Sequence, residues 1–401
     1  MKLFSRQYIL VALTTTFYSC GVFYSTNNVF GINPKWFSVI IFTCILNFFG
    51  DKKSKNITNQ LATILFLLFT FMESINLLEG ISSHPGGVMT LFFLAIMSFT
   101  FYRLPIPVLQ IILSFLYYSI IPLIILSVVK SIFGISILEV EGQGEDYIET
   151  NTLDEKSNRF VGVFANPNSL AIYSLFLGNW VFSRIFSLTQ TGKKYSGFQL
   201  IIWLIIAAAC IYCGILTGSL QFPSGILLVQ ITLRFFMISK KLSGKQVIID
   251  AILSLFVGII GWYFYNLSST IPEERKIART DSVYEAISQT DRWYLFGYGF
   301  GQNNTEINTI DIGPAKWLLE LGMFSIFLLM IYIMYNFIKI YKLKRSYKYQ
   351  VDVNQYYIIY ASILVNWMAQ NVIYSPLYLS TTIWLVMSII IEKMEINHTF
   401  K

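Results

Sequence analysis

Histidine is nearly absent from this chain. Of 401 residues only His84 and His398 carry an imidazole, and neither lies in an apolar run, which excludes a histidine-rich metal site there. Charge is scarce too, at 13% against 55% hydrophobic residues. The ten-residue alternating segments of an outer-membrane barrel are missing, so the apolar runs are not barrel strands. Cysteine is limited to Cys20, Cys44, Cys210 and Cys213, all in apolar runs. Cys210 and Cys213 form a CxxC, but without nearby ligand residues they read as core thiols. No internal repeat and no low-complexity tract is visible, which weakens the inverted-repeat logic of many secondary transporters.

What the chain has instead is a series of apolar runs of helix length, each close to the roughly 20 residues that cross a bilayer. Twelve spans are expected, at 8–25, 36–50, 61–79, 87–102, 107–133, 168–188, 199–217, 222–238, 247–266, 315–338, 355–372 and 376–391. The fold class is therefore all-α: a polytopic integral membrane protein, with residues 1–401 forming a single membrane domain. The 17% of aromatic residues reads mainly as lipid-facing surface and interfacial belt.

Basic residues fix the expected orientation, because they stay on the cytoplasmic side of span ends. Lys2 and Arg6, Lys52 and Lys53, Arg103, Lys193 and Lys194, Lys240 and Lys241, and Lys342 to Lys348 fall at alternate connections. Both termini are thus expected in the cytoplasm. The first run, behind Lys2 and Arg6, reads as an uncleaved span, since Phe17-Tyr18-Ser19-Cys20 offers no clean cleavage site. The formal charge of +7 is mostly this inner-face bias, and no nucleic-acid partner is read into it.

Two long connections, 134–167 and 267–314, fall on the opposite, extracytoplasmic side. The first holds seven acidic residues between Glu139 and Glu155, then Lys156 and Arg159. It ends in RFVGVFANPNSLA, residues 159 to 171, leading straight into the sixth span. Pro167 stiffens that turn and starts the span. Its flanking residues, Asn166 and Asn168, are either turn and cap residues or amides that bind substrate beside Arg159.

In the second connection, a short amphipathic helix is expected near 272–289, with Ile277, Thr280, Tyr284 and Ile287 on one stripe. It sets Arg275 and Arg279 one turn apart, either as phosphate ligands or as interfacial residues paired with Glu285 or with lipid phosphates. Asp291 and Arg292 then lead into a glycine string, Gly297, Gly299 and Gly301. This string lacks the strand-turn-helix setting of a dinucleotide site and reads as turns packed at the membrane surface. Asp311 lies at the entrance of the next span and Glu320 inside it, where a carboxylate is costly unless it faces a polar cavity or a cation. Glu73 and Asp250, also in spans, pack against neighbouring helices or line a cavity.

These segments, in this order, resemble the O-antigen ligase and polymerase superfamily, in particular the Wzy-type repeat-unit polymerases of bacterial capsule and surface polysaccharides. The likeness rests on RFVGVFANPNSLA, on ARTDSVYEAI followed by FGYGFG, and on DIGPAKWLLELG. The resemblance implies a bacterial plasma-membrane glycosyltransferase with an extracytoplasmic active site. It would transfer a growing chain from undecaprenyl diphosphate to the distal end of a fresh lipid-linked repeat. Donor and acceptor are both undecaprenyl-diphosphate-linked oligosaccharides, the setting is membrane lipid, and flippase and chain-length regulator proteins are implied partners. Inversion by a single displacement is the family's expectation.

The residues suit that chemistry. A departing diphosphate gathers negative charge, and guanidinium groups meet it with a planar fork that stays charged. Arg159 and Arg279 are the first candidates for diphosphate binding, followed by Arg292 and Arg275. The arginines take the place of a divalent metal, so neither metal nor cofactor is expected, while the acidic first loop leaves room for a non-catalytic cation. An attacking hydroxyl wants a base within hydrogen-bond reach, and Asp311 and Glu320 are the catalytic candidates. Asp311 falls about where ligases of the superfamily carry a histidine, which favours polymerase over ligase. A Ser-Arg pair often found at the family's eighth span is replaced here by GSLQFPSG, residues 218 to 225. The alternatives are a ligase of the same superfamily and a lipid-linked oligosaccharide flippase or other transporter.

Overall fold

The computed structural model describes residues 2–23, 34–50, 60–81, 85–134, 160–164, 167–191, 197–218, 225, 297–299, 313–346, 351–369 and 378–394. Among these lie eleven helices: α1 (Lys2–Phe23), α2 (Pro34–Phe48), α3 (Leu61–Leu78), α4 (Gly86–Arg103), α5 (Ile106–Tyr118), α6 (Ile120–Phe133), α7 (Pro167–Thr191), α8 (Gly197–Leu216), α9 (Gly313–Ser346), α10 (Val351–Ala369) and α11 (Leu379–Lys393). No strand occurs among the described residues.

Among the described residues, five helical stretches are long and apolar enough to cross a bilayer: Leu61–Leu78, Gly86–Arg103, Ile106–Phe133, Gly197–Leu216 and Gly313–Leu343. The protein is an α-helical, membrane-embedded chain. α1 and α2 hold shorter apolar stretches, Gln7–Phe23 and Lys35–Phe48. The expected span at 222–238 apart from Gly225, the span at 247–266, the amphipathic helix near 272–289 and most of both long connections lie outside the described residues.

Local chemistry accounts for several helix limits. α7 begins at Pro167, as expected of a residue whose missing N–H is harmless at a helix start. The expected span at 107–133 divides at Ser119 into α5 and α6. Pro122 has no N–H for the carbonyl of Tyr118, so one rung of the ladder is lost there. Ser119 itself keeps helical dihedrals (φ −70, ψ −18), and the path carries on. Hydroxyls inside the helices bond back to carbonyls four residues earlier, as Thr15 does to Val11 (2.7 Å) and Thr43 to Val39 (2.8 Å). In a medium without water such back-bonding satisfies the hydroxyl locally.

α11 is the axis of the packing. Every residue from Leu379 to Ile391 is buried, the hydroxyl-bearing Ser380, Thr381, Thr382 and Ser388 included. It touches α3, α4, α5, α9 and α10. Aromatic rings fill the space around it: Trp384 meets Phe66 and Tyr332 edge-on, with ring centres 6.2 and 5.8 Å away. Tyr18 stacks on Phe42 at 4.5 Å and shares a 2.6 Å hydrogen bond with Thr382 of α11.

Among the described residues, part of the aromatic content is inside the packing rather than on its surface. Trp180, Trp317, Trp367, Trp384, Tyr117 and Tyr360 are wholly buried. Composition could not tell these rings from belt residues, because both positions favour large, rigid, apolar side chains. The exposed side of α9 carries large apolar residues, aromatic and aliphatic, among them Phe327, Ile331 and Met334.

Candidate functional site

The first motif is built into the helix ends. The N–H of Phe160 donates to the carbonyl of Leu216 at the end of α8 (3.2 Å), and Val163 N–H donates to Ser127 Oγ of α6 (3.1 Å). Between them Gly162 takes a left-handed conformation (φ +64), and a Cβ there would lie 2.4 Å from Ser127 Oγ. Phe164 stacks on Tyr173 of α7 (5.4 Å), and both meet Phe23 of α1 edge-on. Residues 160–164 are therefore pinned among α1, α6, α7 and α8. Arg159, one residue upstream of this anchored segment, lies outside the described residues. So does Asn166, whereas Asn168 stands half-buried in the first turn of α7.

The last motif opens α9. Gly313 packs so closely on α10 that a Cβ there would lie 2.3 Å from the Trp367 ring. Trp317 is buried against Phe69 of α3, with ring centres 5.8 Å apart. Glu320, in the following turn, has no exposed surface. Two residues later the helix breaks: Gly322 has φ 77 and ψ 174. Helix ends leave carbonyls that need donors from elsewhere. Here Tyr298 and Gly299 supply them, donating to the carbonyls of Leu319 and Glu320, each at 2.9 Å.

The part of the glycine string among the described residues, 297–299, which was expected as turns at the membrane surface, packs on the broken helix that bears Glu320. Gly297 (φ +70) approaches so closely that a Cβ would fall 2.4 Å from the carbonyl oxygen of Glu320. α3 adds a second buried carboxylate, Glu73, with Asn76 Nδ2 at 3.4 Å from its Oε2. Just past Glu320, Ser325 Oγ lies 3.5 Å from Met72 Sδ of α3.

α10 packs against both α7 and α9. The helix that follows the first motif and the helix that carries Glu320 are therefore separated by one element. Of the remaining site candidates, Arg275, Arg279, Arg292 and Asp311 all lie outside the described residues. From GSLQFPSG, Gly225 is buried against Leu175 of α7, where a Cβ would lie 2.4 Å from a methyl carbon. Cys210 and Cys213 are buried, and Cys213 Sγ lies 3.7 Å from the carbonyl of Ile124, as expected for core thiols.

One polar cluster went unforeseen. The Glu392 carboxylate accepts hydrogen bonds from the hydroxyls of Tyr102 (α4) and Tyr332 (α9), and Lys339 donates to its backbone carbonyl. Lys393 donates to the carbonyls of Tyr102, at 2.8 Å, and Leu104. Ala62 N–H closes the set on the Tyr102 hydroxyl (3.2 Å). The cluster ties the start of α3 and the ends of α4 and α11 to the interior of α9. Its only sequence signal is a Glu-Lys pair closing an apolar run. The sequence matches no protein-family model and has no significant match among curated proteins.

Proposed function

We propose that the protein is a Wzy-type polymerase. It joins undecaprenyl-diphosphate-linked oligosaccharide repeats into capsular or surface polysaccharide at the outer face of the bacterial plasma membrane. The acceptor hydroxyl attacks the anomeric carbon of the growing chain, the glycosidic bond forms as the bond to the diphosphate breaks, and undecaprenyl diphosphate leaves. Arg159 and Arg279 meet the charge that develops on the diphosphate, with Arg292 and Arg275 beside them. Glu320 or Asp311 takes the acceptor proton, and Asn166 or Asn168 holds a phosphate or sugar oxygen. Both termini lie in the cytoplasm on this reading, and neither metal nor cofactor takes part.

The observation that carries the reading is the shared support of two motifs by α10. The pinned segment that follows Arg159 feeds α7, the buried Glu320 sits on α9, and α7 and α9 both pack on α10. Cations for a leaving diphosphate and a carboxylate for an attacking hydroxyl must meet at one substrate, so their segments need a common scaffold. A second reading, a lipid-linked oligosaccharide flippase or transporter, draws on the broken helix at Gly322, since interrupted spans mark many transport sites.

A gel of surface polysaccharide from cells lacking the protein separates these readings. Loss of the long ladder with single repeats still exported supports the polymerase. Full-length polymer trapped on its lipid carrier points to a ligase, and repeats accumulating on the inner face point to a flippase.

A further inference from the structure

We infer that residues Gly297–Gly299 form a clamp that fixes the Glu320 half-helix, which makes Gly297 a positioning residue. The clamp rests on the packing described above; the positioning role rests also on the proposed glycosyl transfer. The half-helix is short, running from Gly313 to the break at Gly322. The remainder of α9 is anchored separately, through Tyr332 and Lys339 to Glu392. A short helix joined to its continuation through a glycine has no stiffness of its own across the joint. Its register must come from what touches it, and three of the contacts among the described residues act along its length. Trp367 closes on Gly313, Phe69 on Trp317, and the clamp on Leu319 and Glu320.

The clamp is the contact at Glu320 itself. Its two N–H groups occupy carbonyls beside the break, and Gly297 lies against the Glu320 carbonyl carbon and oxygen and the Leu321 nitrogen, with 2.4, 2.4 and 2.6 Å left for a Cβ. All three are backbone atoms, which cannot rotate out of the way as a flexible side chain can. A side chain at 297 therefore displaces either the clamp or the half-helix. Displacements near 1 Å cost about 100-fold in rate when a reacting group is misplaced.

Two assays on the full-length protein in lipid nanodiscs test this. In the first, Glu320→Cys is labelled with a water-soluble maleimide and read at position 320 by mass spectrometry, with and without Gly297→Ala. The clamp predicts labelling at least about tenfold faster when Gly297 is replaced, and equal labelling overturns it.

The second compares wild type, Gly297→Ala, Glu320→Gln and the double variant on an undecaprenyl-diphosphate-linked repeat. Gly297→Ala is expected to lower kcat with KM nearly unchanged, and the double variant to be no slower than Glu320→Gln, because both losses pass through one group. Losses that multiply, or a Glu320→Gln variant as fast as wild type, overturn the positioning role. A wild-type chain that makes no polymer sinks the proposed function and the positioning role together, and labelling alone still decides the clamp. Should Gly297→Ala fail to accumulate, Tyr298→Pro, which removes the donor to Leu319 without adding an atom at 297, enters the same assays.

Discussion

Gly297 and Glu320 meet backbone to backbone: a Cβ on the glycine would sit 2.4 Å from the glutamate's carbonyl oxygen. The approach gives Gly297 a physical reason, because only a residue without a side chain lets two backbones meet at that distance. It also links two motifs that lie far apart in kind, one a turn-rich connection and the other an apolar span.

A similar approach at Gly162 gives the first prediction. Its φ of +64 costs an L-residue roughly 1–2 kcal/mol, and a Cβ would collide with Ser127 Oγ, which also receives the Val163 N–H. Gly162→Ala is expected to lower the thermal midpoint of the purified protein by several degrees and to reduce surface polymer. An unchanged midpoint would show that residues 160–164 are not held as described.

Glu392 gives the second. Removing one partner from a partly buried hydrogen-bonded cluster costs about 1–3 kcal/mol, because the groups left behind lose their partner without regaining full contact with water. Glu392→Ala strands the hydroxyls of Tyr102 and Tyr332 and unties α4 from α9. Glu392→Gln, which keeps an acceptor for one hydroxyl, is expected to lose about half as much. Thermal unfolding in detergent ranks the two variants, and equal losses would mean that the charge, not the hydrogen bonding, holds the helices.

How much of this was legible beforehand follows from range. Span positions came from runs of apolar residues, a local property, and α3, α4 and α8 follow them to within a residue or two at each end. Pro167 as the start of α7 was likewise readable, because proline acts on its own backbone. The break at Gly322 was not: a glycine in an apolar run is compatible with a straight helix, and only the arrival of Tyr298 and Gly299 from another segment favours the interruption. The Glu392 cluster was hidden for the same reason, since Tyr102, Tyr332 and Glu392 are neighbours in space alone. Of the site residues, Glu320 lies inside a helix as its span implied, Asn168, read as a turn or cap residue or a substrate amide, lies in the first turn of α7, and the arginines on which the chemistry depends lie outside the described residues.

Asn179 gives the third prediction. It is wholly buried on α7, and neither its amide nitrogen nor its amide oxygen has a hydrogen-bond partner among the described residues. An unsatisfied buried amide costs about 1–3 kcal/mol, and an apolar group of similar shape removes that cost. Asn179→Leu is therefore expected to raise the thermal midpoint while leaving polymer length unchanged. A more stable protein that makes no polymer would instead assign the amide to the reaction, and a less stable one would mean that it has a partner after all.

The arginines give the last. If Arg159 and Arg279 meet a departing diphosphate, each must present two parallel N–H groups to phosphate oxygens, an arrangement a lysine ammonium cannot reproduce. Arg159→Ala and Arg279→Ala are expected to abolish the polysaccharide ladder while the protein stays in the membrane at normal amounts. Arg→Lys at either position should restore little of it. A purely electrostatic role, such as holding an exposed loop to anionic lipid, predicts the opposite, because a point charge serves that purpose equally well and salt screens both residues alike. The comparison of lysine with alanine at each position therefore separates phosphate recognition from membrane attachment. Full-length polymer in both alanine variants would remove these residues from the mechanism altogether.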